Sequence, residues 1–236
     1  MANGKLTALD NRASLTLRRC AAGKDPVMDG KPELHLASQF LALAVAILAL
    51  VIVAALSVAG GIPALSAMGG AFAGPAPETA IRVAVAIDFV FPVAFGSGLM
   101  LLVIGLGRHS RKEGAGLPPA AILALVCLML GVLADFTENG FAVAALRGNA
   151  HAVDALSSAS IFKYGIISVA GPLTSSLIPG RDGVARLVVI ALRYLLPLDL
   201  GLIVSNLVPA FTQTAPLTFM LFLGLLALFA RRVARA

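Results

Sequence analysis

Long apolar runs alternate with short polar connections along most of this chain. The runs cover residues 36–59, 81–107, 119–146, 164–178, 184–208 and 216–230. Their lengths cluster around the roughly 20 apolar residues that a helix needs to cross a bilayer. The pattern therefore predicts an all-α polytopic integral membrane protein with about six transmembrane helices. The run at 164–178 is the weakest, being short, Ser-rich and interrupted by Gly171 and Pro172. It predicts a broken span or a re-entrant segment, which is tolerated only where protein or a cavity covers it.

Residues 1–34 break the pattern. They are polar and carry Lys5, Arg12, Arg18, Arg19, Lys24 and Lys31. A cleavable signal has a short basic start and an apolar stretch of roughly 7–15 residues, whereas the first apolar run here is much longer. That run reads as a retained first helix, with 1–34 as a polar basic cytoplasmic segment and 35–236 as the transmembrane domain. Leu6, Leu9, Ala13 and Leu17 fall near one helical face. Residues 5–20 thus suit either a helix lying on the membrane surface or an unstructured tail.

Composition excludes several classes. Of the 236 residues, 59% are hydrophobic and 13% charged, and the mean hydropathy is +0.95. A soluble domain is about half apolar and about a quarter charged. A water-soluble enzyme, a nucleic-acid module, a disulfide scaffold and a disordered linker are all poor fits. The formal charge of +6 comes from basic residues scattered between apolar runs, so the expected partner is the lipid bilayer and not nucleic acid. Cys20 lies in the polar segment and Cys127 inside an apolar run, which predicts different depths and no disulfide. Abundant Ala, with Arg well above Lys, points to a GC-rich bacterial genome and so to a bacterial inner membrane. Tryptophan is absent, leaving Tyr164, Tyr194 and the phenylalanines for any interfacial belt.

Charge placement sets the orientation. With six spans, 14 of the 18 Lys and Arg residues fall on one side: the N-terminal segment, the connection with Arg108, Arg111 and Lys112, the loop with Arg181 and Arg186, and the C-terminal Arg231, Arg232 and Arg235. Arg82, Arg147 and Lys163 fall opposite, and Arg193 lies within the fifth span. Positively charged loops stay inside, so both termini are expected in the cytoplasm. Arg82-x5-Asp88 and Arg193-x5-Asp199 hint at two inverted halves, but nothing else aligns, and coincidence is the preferred reading.

Charge within the spans marks the candidate chemistry, because each such group costs about 2.5–3.5 kcal/mol on insertion scales. Asp135, Glu138 and Asn139 are spaced i, i+3, i+4 and share one helix face. Such a stripe can bind a hard cation, share a proton or hydrogen-bond a polar substrate; its bland alternative is the wet end of a long helix. Asp88, near Pro92, either joins that site or bonds backbone groups freed by the proline. Lys163 is expected at the outer mouth of the fourth span, where snorkelling is the preferred reading. Arg193 is read likewise. Asp199 is deeper and needs a buried partner such as Lys163. Asp88, Asp135, Glu138, Asn139 and Lys163 thus share one outer depth band, with Asp199 slightly below it.

Other motifs carry less. No His or Cys spacing suits a metal, and the sequence leaves any cofactor unidentified. The segment Asp182-Gly183-Val184-Ala185-Arg186, with Asp199 thirteen residues beyond, resembles part of the signature of CDP-alcohol phosphotransferases. However, Pro179, Leu195 and Ile203 stand where that signature needs Asp, Gly and Asp, so it reads as a helix start. Gly96-x-Gly98 and Gly105-x-Gly107 read as close helix packing. The leading expectation is a small transporter or channel-like protein with an acidic, outward-facing site for a cation, a proton or a small polar substrate. The alternatives are an intramembrane enzyme acting on a lipid or isoprenoid head group, and a non-catalytic subunit of a larger membrane complex. A homo-oligomer is compatible with each.

Overall fold

The computed structural model describes residues 30–58, 86–110, 116–179, 182–205 and 209–236. The basic tail and its proposed surface helix, Cys20, Arg82 and the connection before Ala86 lie outside the described residues. The described residues are helical nearly throughout and contain no strand. In chain order the elements are α1 (Lys31–Val58), α2 (Phe91–His109), α3 (Pro119–Leu146), α4 (His151–Ser175), α5 (Gly183–Ile190), a π-helical turn (Ala191–Leu195), α6 (Leu196–Ser205) and α7 (Pro209–Arg235). One further helical turn, 86–88, leads into α2.

Among the described residues, four stretches are long and apolar enough to cross a membrane: Lys31–Val53, Ala86–His109, Pro119–Ala145 and Leu217–Arg235. They carry apolar side chains on their outer faces, including Leu43, Leu50, Leu123, Met129, Leu133, Leu221 and Leu228. In water such faces would be a severe liability, but against lipid chains they are matched.

The bundle is built on two antiparallel arrangements. α1 packs on α2 and α7, α3 packs on α4, α2 bridges to α3, and α4 continues onto the π turn and α6. Small residues set the α2 contacts, as the glycine pairs predict. A Cβ at Gly98 would press on Leu41, and one at Gly105 on Leu34, both in α1. A Cβ at Gly96 would collide with Val132 in α3, and one at Gly107 would meet Leu117 and Ala121 at the start of α3. α2 therefore shows one small-residue face to each neighbour, which brings helices close where no hydrophobic force assembles them. Gly30, at φ 76°, lets the chain enter α1 hard against the Gly105 backbone.

Two elements differ from the hydropathy reading. α4 begins at His151, well before Tyr164, and runs continuously for 25 residues through Gly171 and Pro172. At 1.5 Å per residue it is about 37 Å long, so no break or re-entrant loop interrupts it. Its first half is polar, which is why hydropathy missed it. The fifth run is a helix with a fault: Leu196 N–H bonds back to the Ala191 carbonyl, five residues away. Pro197 explains the fault, since its ring cannot donate a hydrogen bond and crowds the carbonyl of Arg193 four residues earlier. A wide turn makes that room. Asp182 caps α5, its carboxylate accepting from Ala185 N–H at 2.7 Å, so the DG-containing motif is a helix start.

Candidate functional site

The α3–α4 hairpin positions the site. It turns at Arg147–Ala150, where Gly148 has φ 86°, and folds about Asn149, so positions equally distant from Asn149 face one another. Gly131 thus meets Ile167, Asp135 meets Lys163, and Glu138 meets Ser160. The polar stripe of α3 is answered residue by residue from the polar half of α4. Glu138 reaches back one turn to Lys163 as well.

Lys163 is the hub. Its Nζ lies 2.7 Å from Asp135 Oδ1, forms a second ion pair with Glu138, and sits 4.8 Å from the centre of the Tyr164 ring. Asp135 and Asn139 are buried, and the side chains of Lys163 and Glu138 nearly so. Ser160 Oγ donates to Glu138 Oε1 at 2.6 Å. This places Lys163 at the centre of α4, twelve residues from either end, and corrects its expected position at an outer mouth. It does not snorkel, because two carboxylates hold it inside.

Asp88 approaches from the turn ahead of α2, where Phe89 packs on Phe136 of α3 with ring centroids 6.4 Å apart. Its carboxylate faces Asp135, Lys163 and Glu138 and lies beside the Asn139 amide. Among the described residues no Lys or Arg forms an ion pair with it. Asn139 Nδ2 is buried there without a well-formed hydrogen bond among the described residues. Five of the six sequence candidates therefore converge: Asp88, Asp135, Glu138, Asn139 and Lys163.

Asp199 does not join them. Its Oδ2 accepts from Thr218 Oγ1 of α7 at 3.3 Å, and its Oδ1 is buried without a partner among the described residues. The expected Asp199–Lys163 pairing is thus replaced by an α6–α7 contact, because Asp135 and Glu138 already occupy the lysine. Arg193, at the π turn, donates to Ser175 Oγ at 3.2 Å and ties the two helices together.

A cavity of about 180 Å³ opens beside the cluster. Asp88, Asp135, Lys163 and Tyr164 make its polar end; Phe91, Phe95 and Phe219 form the aromatic wall, and Leu48, Ile167 and Leu200 complete it. Phe95 and Phe219 lie 5.3 Å apart, tilted, and Phe91 stacks on Phe95 at 5.6 Å. No known protein family, characterised protein or solved structure matches this chain.

The aromatic wall and Ser160 were not singled out from the sequence for this site, and Tyr164 was read as an interfacial residue. Only local spacing hinted at them: Phe91 and Phe95 are i, i+4, and Tyr164 adjoins the lysine. Phe219 comes from the far end of the chain and carried no local signal. Among the described residues no three His, Cys, Asp or Glu side chains come together in a way that could hold a metal ion. Lys163 stands between Asp135 and Glu138 and pairs with both.

Proposed function

We propose that the protein is a small transporter or channel-like protein of the bacterial inner membrane, crossing six times with both termini in the cytoplasm. Asp88, Asp135, Glu138, Asn139 and Lys163 form its outward-facing site for a cation, a proton or a small polar substrate. The observation that carries this reading is the charge imbalance inside the bundle: three carboxylates face a single lysine. In a low-dielectric interior the surplus negative charge must be met by a bound proton or cation. A site that holds an exchangeable proton or cation is suited to moving it.

The topology has its own support. α4 and the α5–π–α6 rod each match a bilayer core of about 30 Å in length. Glu33 at the start of α1 pairs with Arg108 at the end of α2, and Asp182 at the start of α5 lies 3.1 Å from Arg232 near the end of α7. These ion pairs sit among the basic clusters assigned to the cytoplasmic face.

Reconstitution tests the reading. Proteoliposomes with an internal pH dye and an imposed potassium diffusion potential should show proton or cation flux above protein-free vesicles. Asp135→Asn combined with Glu138→Gln should slow it by about tenfold or more, as loss of ~1.4 kcal/mol of stabilisation requires. Equal flux with and without the carboxylates would refute the reading.

A further inference from the structure

The cavity has chemistry of its own beyond the charge cluster. Its polar end offers the Asp88 carboxylate, which among the described residues forms no ion pair, and the lysine-bound Asp135. Its wall is built from the rings of Phe91, Phe95 and Phe219, with Tyr164 at the junction. An inorganic cation would gain little from three phenylalanines, and an anion would meet two carboxylates and a Lys163 ammonium already paired with Asp135 and Glu138. A neutral apolar molecule would leave Asp88 unanswered. The ligand that uses both ends is positive and apolar at once, because ring faces attract ammonium groups, most strongly when water is excluded.

The protein already shows this recognition on itself. The Lys163 ammonium is a tethered alkylammonium, held by two carboxylates and lying over the Tyr164 ring at 4.8 Å. Of the carboxylates lining the cavity, Asp88 is the one with no such partner among the described residues, and it faces the open volume. Size narrows the class further. A dry cavity of about 150 Å³ accepts benzene, so about 180 Å³ accommodates one ring-sized apolar body with an ammonium head. We infer that this cavity binds a small monovalent organic cation, a protonated amine or quaternary ammonium with an apolar body about one ring in size, with Asp88 as its counter-ion and Phe95 and Phe219 as its wall. This names the substrate class of the proposed transport site and rests on that reading only for entry from water.

Isothermal titration calorimetry of the purified full chain in nanodiscs tests the inference, with benzyltrimethylammonium as the probe and benzoate as an anion of similar body. Saturable binding of one cation per chain is expected, with none of benzoate. Asp88→Asn should weaken binding by about tenfold or more. Phe219→Leu, which keeps an apolar wall but removes the ring, should weaken it by about threefold. Each variant is first required to elute as a monodisperse peak with wild-type helical content. Phe219→Leu keeps the question open should Asp88→Asn fail to fold. No cation binding, equal binding in a folded Asp88→Asn, or equal binding of benzoate would overturn the inference. Radiolabelled benzyltrimethylammonium uptake into proteoliposomes separates the two claims. Binding without uptake retains the site and removes the transport reading. Proton flux without binding does the reverse.

Discussion

Lys163 carries the electrostatics of the bundle interior. Without it, Asp135, Glu138 and Asp88 would face one another with no positive charge between them among the described residues. Removing one partner of a buried ion pair leaves the other uncompensated and destabilises by about 3–5 kcal/mol, whereas replacing the whole set by apolar groups is often neutral. Lys163→Met is therefore expected to lower the thermal midpoint in detergent markedly, by size-exclusion recovery after heating. Adding Asp135→Leu and Glu138→Gln should restore most of the loss. A Lys163→Met protein that melts with wild type would show that the lysine is not the hub. The carboxylate half of this arrangement was legible, because Asp135, Glu138 and Asn139 repeat at helical spacing within one run. Their answer was not. Lys163 lies after a polar, Ser-rich stretch that hydropathy reads as a loop, and only the hairpin about Asn149 shows that this stretch faces the α3 stripe. Asp199 was misassigned for the same reason: depth alone cannot tell which of several helices supplies a partner.

The helices divide according to how their ends are encoded. α3 starts and stops where its apolar run does, after Pro118 and before the Arg147–Ala150 turn. α4 starts thirteen residues earlier than its apolar run, and Ala152, Leu156 and Ser160 bury one face of its polar first half. The π turn at Ala191–Leu195 was invisible to periodicity, although Pro197 is its physical cause. Close contact between elements supplies a sharp test. A Cβ at Gly171 would collide with the backbone carbonyl of Leu192 in the π turn, whereas one at Gly140 in α3 meets nothing within 4 Å. Gly171→Ala should therefore destabilise by about 1–3 kcal/mol, since backbone atoms cannot step aside as a flexible side chain can. Gly140→Ala should be neutral or gain up to about 1 kcal/mol from helix propensity. Thermal midpoints of both variants in the same detergent check the pair, and equal shifts would contradict the packing described for α4 and the π turn.

Across the whole molecule, membrane character was the most legible property, because no soluble domain could conceal this much apolar surface. Among the described residues four helices meet the length and hydropathy needed to cross, and the α4 and α5–α6 rods bring the proposed number to six. If both ends are cytoplasmic, a periplasm-active reporter fused after Ala236 should stay inactive while the same reporter inserted after Ser66 is active; the reverse pattern would invert the topology. The site itself is an assembly that no single segment encodes, drawing on α2, α3, α4, α6, α7 and the middle of α1. The proposal that binds these levels together is that the cavity beside the buried acidic centre is reached from the outer water. It is tested most directly by Asp135→Cys in a protein with Cys20→Ser and Cys127→Ser, challenged in intact cells with a membrane-impermeant maleimide. Rapid labelling, slowed by benzyltrimethylammonium, is the result this account predicts. No labelling, while a Ser66→Cys control reacts readily, would mean a sealed centre and would contradict it.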